Sequence, residues 1–566
     1  MKIQPWRVAA ASVTLLLAAC GGGSGSSSGV KITVPEFTGQ SQDTGLIPNP
    51  NGFAFPNFGA AGSPEVFNET DLVEMFGATT EVCEDGVASP CTPTAEAAAF
   101  ARLVNDSRAA GHCEGFAVLA AARFTQAVKP NSVELLNQGD VTHGIMRAFA
   151  TQFLKETQDE TNGWAKKSLQ DKLAALETSF KTKTVGYSLG VYTDDGGHAV
   201  LPYAIKYETS ELAKIMVYDS NWPGQERFVK VDLAAKTWEF SFGGADPNND
   251  PNAWTGGSKD LDITSMATRE EGTCPFCGGK SGVQKSLLVV RSAMPDWKIE
   301  TKDGVLTAGS SDVGASTVRP VRSSTPGAPN APVDYIVVTP SGQDITMNFP
   351  SQTRVNGITP NAVIQVESNG SAEGSVVVND TSVTSTDTGA VMTVADGSFV
   401  GSTNGSPASI TTAGTEIAIV TESASGQPVE EVVNENAPAV EVVVTETNYE
   451  VRSETSDTTF ERRTVDSNGN ETVVSEVGQL SNTQVDKPLP EALGAPEVKP
   501  GLSEPSERII SGTSPTSVST TIVAETPTTV RRTTPSTLKP TATTVPQATA
   551  PTVSKSSARV AVSAVN

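Results

Sequence analysis

Whatever in this 566-residue chain can build a large core or carry covalent chemistry is gathered into one stretch. Residues from about 67 to 293 hold most of the aromatic side chains, all three histidines and every cysteine except Cys20. On either side the composition turns to Gly, Ser, Thr, Val and Pro. The chain is too long for a single core, so this distribution predicts one globular body of ordinary domain size with lighter flanks.

Inside that stretch the hydrophobic period changes once. Helical spacing comes first, at 71–76 closed by Gly77, from Thr94 as an N-cap to 104, at 113–128 before Pro130, at 143–156 and at 168–180. Alternating, β-rich segments follow at 185–192, 198–207, 214–219, 227–232 and 237–242. Helices followed by strands predict an α+β fold, with helices against one face of an antiparallel sheet.

The flanks divide by composition. Residues 21–66 read as a Gly/Ser tether and a linker that partly lies against the body, and 294–331 as a second linker. Residues 332–421 alternate apolar and polar positions, as in Tyr335-Ile336-Val337-Val338-Thr339, between turn signals such as Pro340-Ser341-Gly342. That pattern predicts a small all-β module of sandwich type. Residues 422–566 carry few aromatic anchors and end in a Thr/Pro-rich run, which predicts a low-complexity disordered tail. The net charge of −24 argues against nucleic acid as a partner, because a phosphate backbone needs a basic surface.

Residues 1–20 read as an export signal. Lys2 and Arg7 precede a short apolar run that closes on Leu17-Ala18-Ala19-Cys20. This ending resembles the bacterial lipobox, and the resemblance implies lipidation at Cys20 and a lipid-anchored, extracytoplasmic place in the bacterial cell envelope. Gly21 after the cysteine favours the outer membrane in a Gram-negative cell. In an oxidising compartment the cysteines other than Cys20 and Cys113 pair most simply as Cys83–Cys91 and Cys274–Cys277. A zinc or redox role for Cys274-Pro275-Phe276-Cys277 is the rival reading, weakened by the lack of a second close pair and by Gly278-Gly279 where a helix should open.

Two short segments carry candidate chemistry. Gly111-His112-Cys113-Glu114-Gly115 places a thiol at the start of an apolar helix, where free N–H groups favour a thiolate. Gly196-Gly197-His198 opens a strand, and Asp219 ends the next, with Asn221 two residues on. A thiol, a base and a group that orients the base are what an activated cysteine nucleophile requires. Gly197 leaves room for a substrate beside His198. His112 should point away from the sulfur, and His143 reads as a cap or surface residue.

The order Gly-His-Ala-Val-Leu-Pro-Tyr, then Val-Tyr-Asp-Ser-Asn-Trp, resembles the second half of papain-like cysteine peptidases across residues 105–223. The resemblance implies Cys113 as nucleophile, His198 as base, Asp219 as orienter with Asn221 as alternative, and Trp222 as a shield over the His–Asp pair. Those enzymes carry an oxyanion-donating Gln six residues before the cysteine, a position held here by Ser107. Asn105 is the substitute candidate, with the Cys113 N–H as second donor. Transglutaminase-like domains share the Cys, His, Asp order on a related core, so acyl transfer stays open beside hydrolysis.

The expectation is thus a lipid-anchored cysteine hydrolase of papain-like α+β architecture, cleaving a peptide or isopeptide bond in a peptide or protein substrate. No cofactor and no metal are implied. The acidic loops at 246–250 and 260–262 offer calcium-type oxygens but read as solvated turns. The second reading is a surface adhesion or scaffold lipoprotein with a degenerate, non-catalytic copy of the fold.

Overall fold

The computed structural model describes residues 32–270, 272–277, 285–310 and 312–324, and the strands with adjoining turns between 332 and 488. The signal segment with Cys20, the Gly/Ser run and the Thr/Pro-rich end lie outside the described residues. No helix among the described residues is long and apolar enough to cross a membrane.

The fold is α+β. Its helices are α1 (Pro48–Asn51), α2 (Glu69–Phe76), α3 (Ala95–Ser107), α4 (Cys113–Thr125), α5 (Asp140–Ala150), α6 (Lys155–Ala165), α7 (Leu169–Lys181) and α8 (Met266–Glu270). Local chemistry accounts for several boundaries. Asn68 and Asp71 form a capping box at the start of α2, and Gly77 ends it at φ 82°. The Thr94 hydroxyl accepts from the Ala97 N–H to open α3, and Ser168 does the same with Asp171 for α7.

The helix expected at 143–156 is instead two. Helix α5 ends at Ala150, Leu154 is extended at ψ 140°, and α6 then begins. Phe153 and Leu154 turn into the core at this break. Helix α6 was not expected, because its sequence KETQDETNGWA has no apolar stripe. It is buried through polar pairs: Glu160 accepts from the Ser265 hydroxyl at 2.8 Å, and the Thr161 and Thr264 hydroxyls meet at 2.8 Å.

The strands β1 (Gln42–Asp43), β2 (Tyr187–Thr193), β3 (Gly196–Tyr207), β4 (Leu212–Tyr218), β5 (Arg227–Asp232), β6 (Thr237–Phe240), β7 (Trp254–Gly256) and β8 (Leu261–Ser265) form one antiparallel sheet. Its order is β7-β6-β5-β4-β3-β2-β8, with β1 also paired to β3. Strand β3 joins the halves, pairing with β2 through Gly196 to Val200 and with β4 from Leu201 onward. The register shifts between Pro202 and Ala204, at a residue that has no N–H to offer a ladder.

Helices cover both faces of this sheet, not one as expected. Leu201 and Tyr203 pack with Phe116, Ala117 and Ala120 of α4, while Val200 and Ile205 pack with Leu173, Leu176 and Phe180 of α7. Successive strand residues point to opposite faces, so β3 is buried on each side. Gly115 lets α4 press onto α5, since a Cβ there would lie 2.1 Å from the Ile145 carbonyl oxygen.

A second body of two facing sheets begins earlier than composition indicates. Strand β9 (Lys285–Ser292) pairs antiparallel with Val333–Pro340 on one side and Thr353–Ile358 on the other. Leu288 and Val290 face the sandwich core with Trp297, Met347 and Val355, whereas Leu287 and Val289 face Phe100, Leu103 and Val104 of α3. One strand therefore serves two cores. The expected linker 294–331 contains the strands Lys298–Thr301, Gly304–Leu306, Asp312–Val313 and Ser316–Pro320.

Strands also run through the segment expected to be disordered, from Pro428–Asn434 to Val485–Pro488, and extend the same two sheets. Backbone pairing onto a neighbouring strand satisfies main-chain N–H and C=O groups whatever the side chains, so low aromatic content did not prevent it. Residues beyond 488 lie outside the described residues.

Candidate active site

Gly111, at φ 147°, turns the chain into α4, a conformation that favours glycine. Cys113 is the first residue of that helix, and it is the one free cysteine among the described residues. Cys83–Cys91 and Cys274–Cys277 are the two bonded pairs, as expected from their spacing. His198 lies in β3, and Asp219 directly follows the last residue of β4, Tyr218, which pairs with Leu201. Antiparallel pairing thus brings the carboxylate beside a histidine 21 positions earlier.

The geometry at these residues is tight. His198 Nε2 lies 3.0 Å from Asp219 Oδ1, and the Ala199 N–H donates to Cys113 Sγ at 3.2 Å. Cys113, His198 and Asp219 are each 0 % exposed. Burial works against a charged His198 ring, but Cys113 and then Asp219 outweigh it, and the pKa is raised to about 10. With Nε2 on Asp219, Nδ1 is the ring atom left without another hydrogen-bond partner.

Asn221 is also at this corner. Its N–H donates to Asp219 Oδ1 at 2.9 Å, while its side-chain nitrogen is 3.5 Å from His198 Nε2. Asp219 makes the shorter, charged contact and is the stronger orienter. Trp222, expected to shield the His–Asp pair, borders it through Arg227. Its ring stacks on the Arg227 guanidinium at 4.9 Å, and Arg227 stands 3.9 Å from Asp219 Oδ2. The rings around His198 are Phe240, stacked at 5.8 Å, and Phe242, edge-on at 5.1 Å. The alternation at 237–242 held that signal, since residues two apart share a strand face.

Asn105 is not brought to the sulfur. Its Oδ1 accepts from the Phe67 N–H at 3.0 Å and from Arg108 Nε at 2.9 Å, and its Nδ2 donates to the Phe67 carbonyl at 2.8 Å. The amide that does reach this corner belongs to Asn57, within the segment expected as a linker. Its Oδ1 accepts from the His112 N–H at 2.6 Å, and its backbone N–H donates to the Ser220 carbonyl at 2.9 Å. Its Nδ2 donates to Asn221 Oδ1 at 3.1 Å. No local motif marks Asn57, because every partner is more than fifty positions away.

The other histidines have separate places. His112 is buried with Nδ1 2.6 Å from the Phe58 carbonyl oxygen and Nε2 3.3 Å from Arg108 Nη1. Burial lowers its pKa to about 3, so the ring is neutral, donating to Phe58 and accepting from Arg108. His143 lies inside α5, bound to Asp71 of α2 at 2.8 Å, which raises its pKa.

Behind the nucleophile is a buried ionic cluster that the sequence did not announce. Glu114 receives Arg269 of α8, Arg322 Nη1 at 3.1 Å and the Ser188 hydroxyl at 3.1 Å. Arg322 also donates through Nη2 to Asp262 at 2.5 Å and through Nε to the Tyr192 hydroxyl at 2.5 Å. Asp262, expected in a solvated turn, is 0 % exposed. The other acidic loop closes on itself, Asp246 capping Asn248 and Asp250 accepting from Ser241. Among the described residues no group of three or more His, Cys, Asp or Glu side chains is placed to hold a metal ion.

At Gly197, expected to leave space for a substrate, the chain itself lies close. A Cβ at Gly197 would lie 2.9 Å from the Val321 carbonyl oxygen, and the Ser323 and Ser324 N–H groups both donate to the Gly197 carbonyl at 3.1 Å. No protein-family model, curated protein or solved structure matches this chain.

Proposed function

We propose that this protein is a cysteine hydrolase of papain-like architecture that cleaves a peptide or isopeptide bond, and that it acts outside the cytoplasm on a lipid anchor at Cys20. The observation that carries the reading is the His198 ring, held by Asp219 through Nε2 at 3.0 Å beside a Cys113 Sγ that accepts from the adjoining Ala199 N–H at 3.2 Å, with both groups raising the ring's pKa to about 10. A protonated imidazole between a carboxylate and a sulfur favours the thiolate, which is the nucleophilic form.

In the reaction the Cys113 sulfur forms a bond to the substrate carbonyl carbon, and the carbonyl electrons move onto oxygen. The Asn57 amide and the Cys113 N–H are the donors suited to that oxyanion. As the tetrahedral intermediate collapses, the C–N bond breaks and His198 gives its proton to the leaving amine. Water, deprotonated by His198, then attacks the thioester and releases the acid. An amine in place of water would give acyl transfer from the same acyl-enzyme.

The test is the pH dependence of Cys113 alkylation by iodoacetamide, read by peptide mass spectrometry in wild type and His198→Ala. Reactivity that persists at pH 6 in the wild type and vanishes in His198→Ala supports the pair. A wild-type profile that rises only near pH 8.5, as for an ordinary thiol, and does not respond to His198 overturns it in favour of a non-catalytic scaffold.

A further inference from the structure

Residues 321–324 follow the strand Ser316–Pro320 of the second body and lie along the start of β3, next to His198. Arg322 forms a parallel bridge with Gly197, and two successive amides, of Ser323 and Ser324, point at the Gly197 carbonyl. The bridge is a single main-chain contact of the kind an added strand makes at a sheet edge, with the second amide sharing the same carbonyl. On the other side the Ser323 and Ser324 carbonyls accept from Asn57 Nδ2 at 3.5 and 3.2 Å, and the Ser324 carbonyl accepts from Asn221 Nδ2 at 3.4 Å.

The side chain of Arg322 goes inward. It passes Gly190, where a Cβ would stand 2.7 Å from its Nε, and ends between Glu114, Asp262 and the Tyr192 hydroxyl. Thr161 and Thr264 hydroxyls accept from Nη2 at 3.4 and 3.1 Å. Two carboxylates and three hydroxyls around one buried guanidinium match its planar fork, which a lysine could not fill. Arg269 also serves Glu114, so the cation lost without Arg322 is chiefly the partner of Asp262.

We propose that residues 321–324 are a peptide bound in cis at the triad, and that this position recognises extended peptides with arginine placed in the Glu114–Asp262–Tyr192 pocket. The proposal rests on the reading of Cys113 and His198 as a peptide-cleaving pair. The segment occupies the space that Gly197 leaves, its carbonyls take the Asn57 amide suited to an oxyanion, and the triad beneath is closed to solvent. A substrate then binds by displacing this segment and inserting its own arginine.

The test uses the full chain and reads the iodoacetamide alkylation rate of Cys113 at pH 9, where an unassisted thiol is largely ionised. Ser323→Pro removes one amide that meets Gly197, and Gly197→Ala drives a methyl group into Val321. In either folded variant Cys113 should react about tenfold faster than in the wild type. In Ser323→Pro, adding acetyl-Val-Arg-Ser-Ser-amide should slow it again and acetyl-Val-Gln-Ser-Ser-amide should not; in Gly197→Ala, whose methyl group meets the peptide's Val carbonyl as it meets Val321, neither should. Wild-type rates in a folded variant overturn the proposal, as does protection of Ser323→Pro by both peptides or by neither. If Ser323→Pro does not fold, the rate in Gly197→Ala decides. Displacement and arginine-specific protection without His198-dependent reactivity at pH 6 would overturn the catalytic reading and leave the peptide site standing.

Discussion

Arg322 Nη1 stands 3.1 Å from each carboxylate oxygen of Glu114, the residue next to Cys113 and 208 positions away in the chain. The contact ties the nucleophile helix to a segment of the second body. Both side chains are nearly or wholly buried, at 3 % and 0 % exposure, so removing the carboxylate leaves the guanidinium in place without its charge partner. Glu114→Ala should therefore leave Arg269 and Arg322 under-compensated and lower unfolding free energy by ~3–5 kcal/mol, read from urea denaturation. A loss within the range of a surface substitution would show that the cluster relaxes around the missing carboxylate.

Asn57 is held from behind by the His112 N–H at 2.6 Å, which leaves its Nδ2 to face carbonyl oxygens. If it stabilises an oxyanion, Asn57→Ala should weaken binding of a peptide aldehyde about 10²–10³-fold, because the hemithioacetal oxygen loses a donor. The dependence of Cys113 alkylation on His198 should survive the same substitution. Unaltered aldehyde affinity would remove Asn57 from the chemistry.

His112 gives a pH dependence of defined sign. Its pKa is lowered from 6.5 to about 3 in the folded chain, so between those values the unfolded chain binds the extra proton. The contribution is complete above pH 6.5 and is lost as pH falls through that window toward 3. His198 has the opposite sign, with a folded value raised to about 10, and its contribution is complete below 6.5 and lost as pH rises through 10. In thermal melts, His112→Asn should fall less steeply than wild type from pH 6.5 to 4, and a parallel slope would contradict the assignment.

Strand β9 predicts where the chain can be cut. A fragment ending at residue 293 keeps Leu288 and Val290 but lacks Val333–Pro340 and Thr353–Ile358, the two strands that pair with β9. It also exposes Leu288 and Val290, whose sandwich partners are gone, and α3 loses Ile336, Val338 and Ile358 from its cover. Such a fragment should aggregate or give broad, non-cooperative melts, whereas one ending at 488 should unfold cooperatively. A soluble, cooperative 293-residue fragment would show that α3 does not need this cover.

Much of the first body was legible. Asn68, Thr94 and Ser168 have side chains that satisfy free helix N–H groups, so they mark starts without reference to distant residues. Strands at 198–207, 214–219 and 227–232 lie within a few residues of their expected limits, because alternation is a local property. Helix α6 escaped notice since polar residues with buried partners look like solvated ones in sequence. The strands of 298–320 and 428–488 escaped because composition reports the area a segment buries alone, not the hydrogen bonds offered by a neighbouring sheet.

By itself, then, the sequence determined local periods, helix caps, the close cysteine pairs and the order of thiol, imidazole and carboxylate. Each of these depends on neighbours a few positions apart. Only the tertiary structure decided that Asp219 lies on His198, that Asn57 rather than Asn105 reaches that corner, and that Arg322 fills an acidic pocket behind Cys113. The physical reason is range. Hydrogen bonds and ion pairs act over a few ångströms, and the partners that meet here are set by how β3, α4 and the second body pack, which no local pattern encodes.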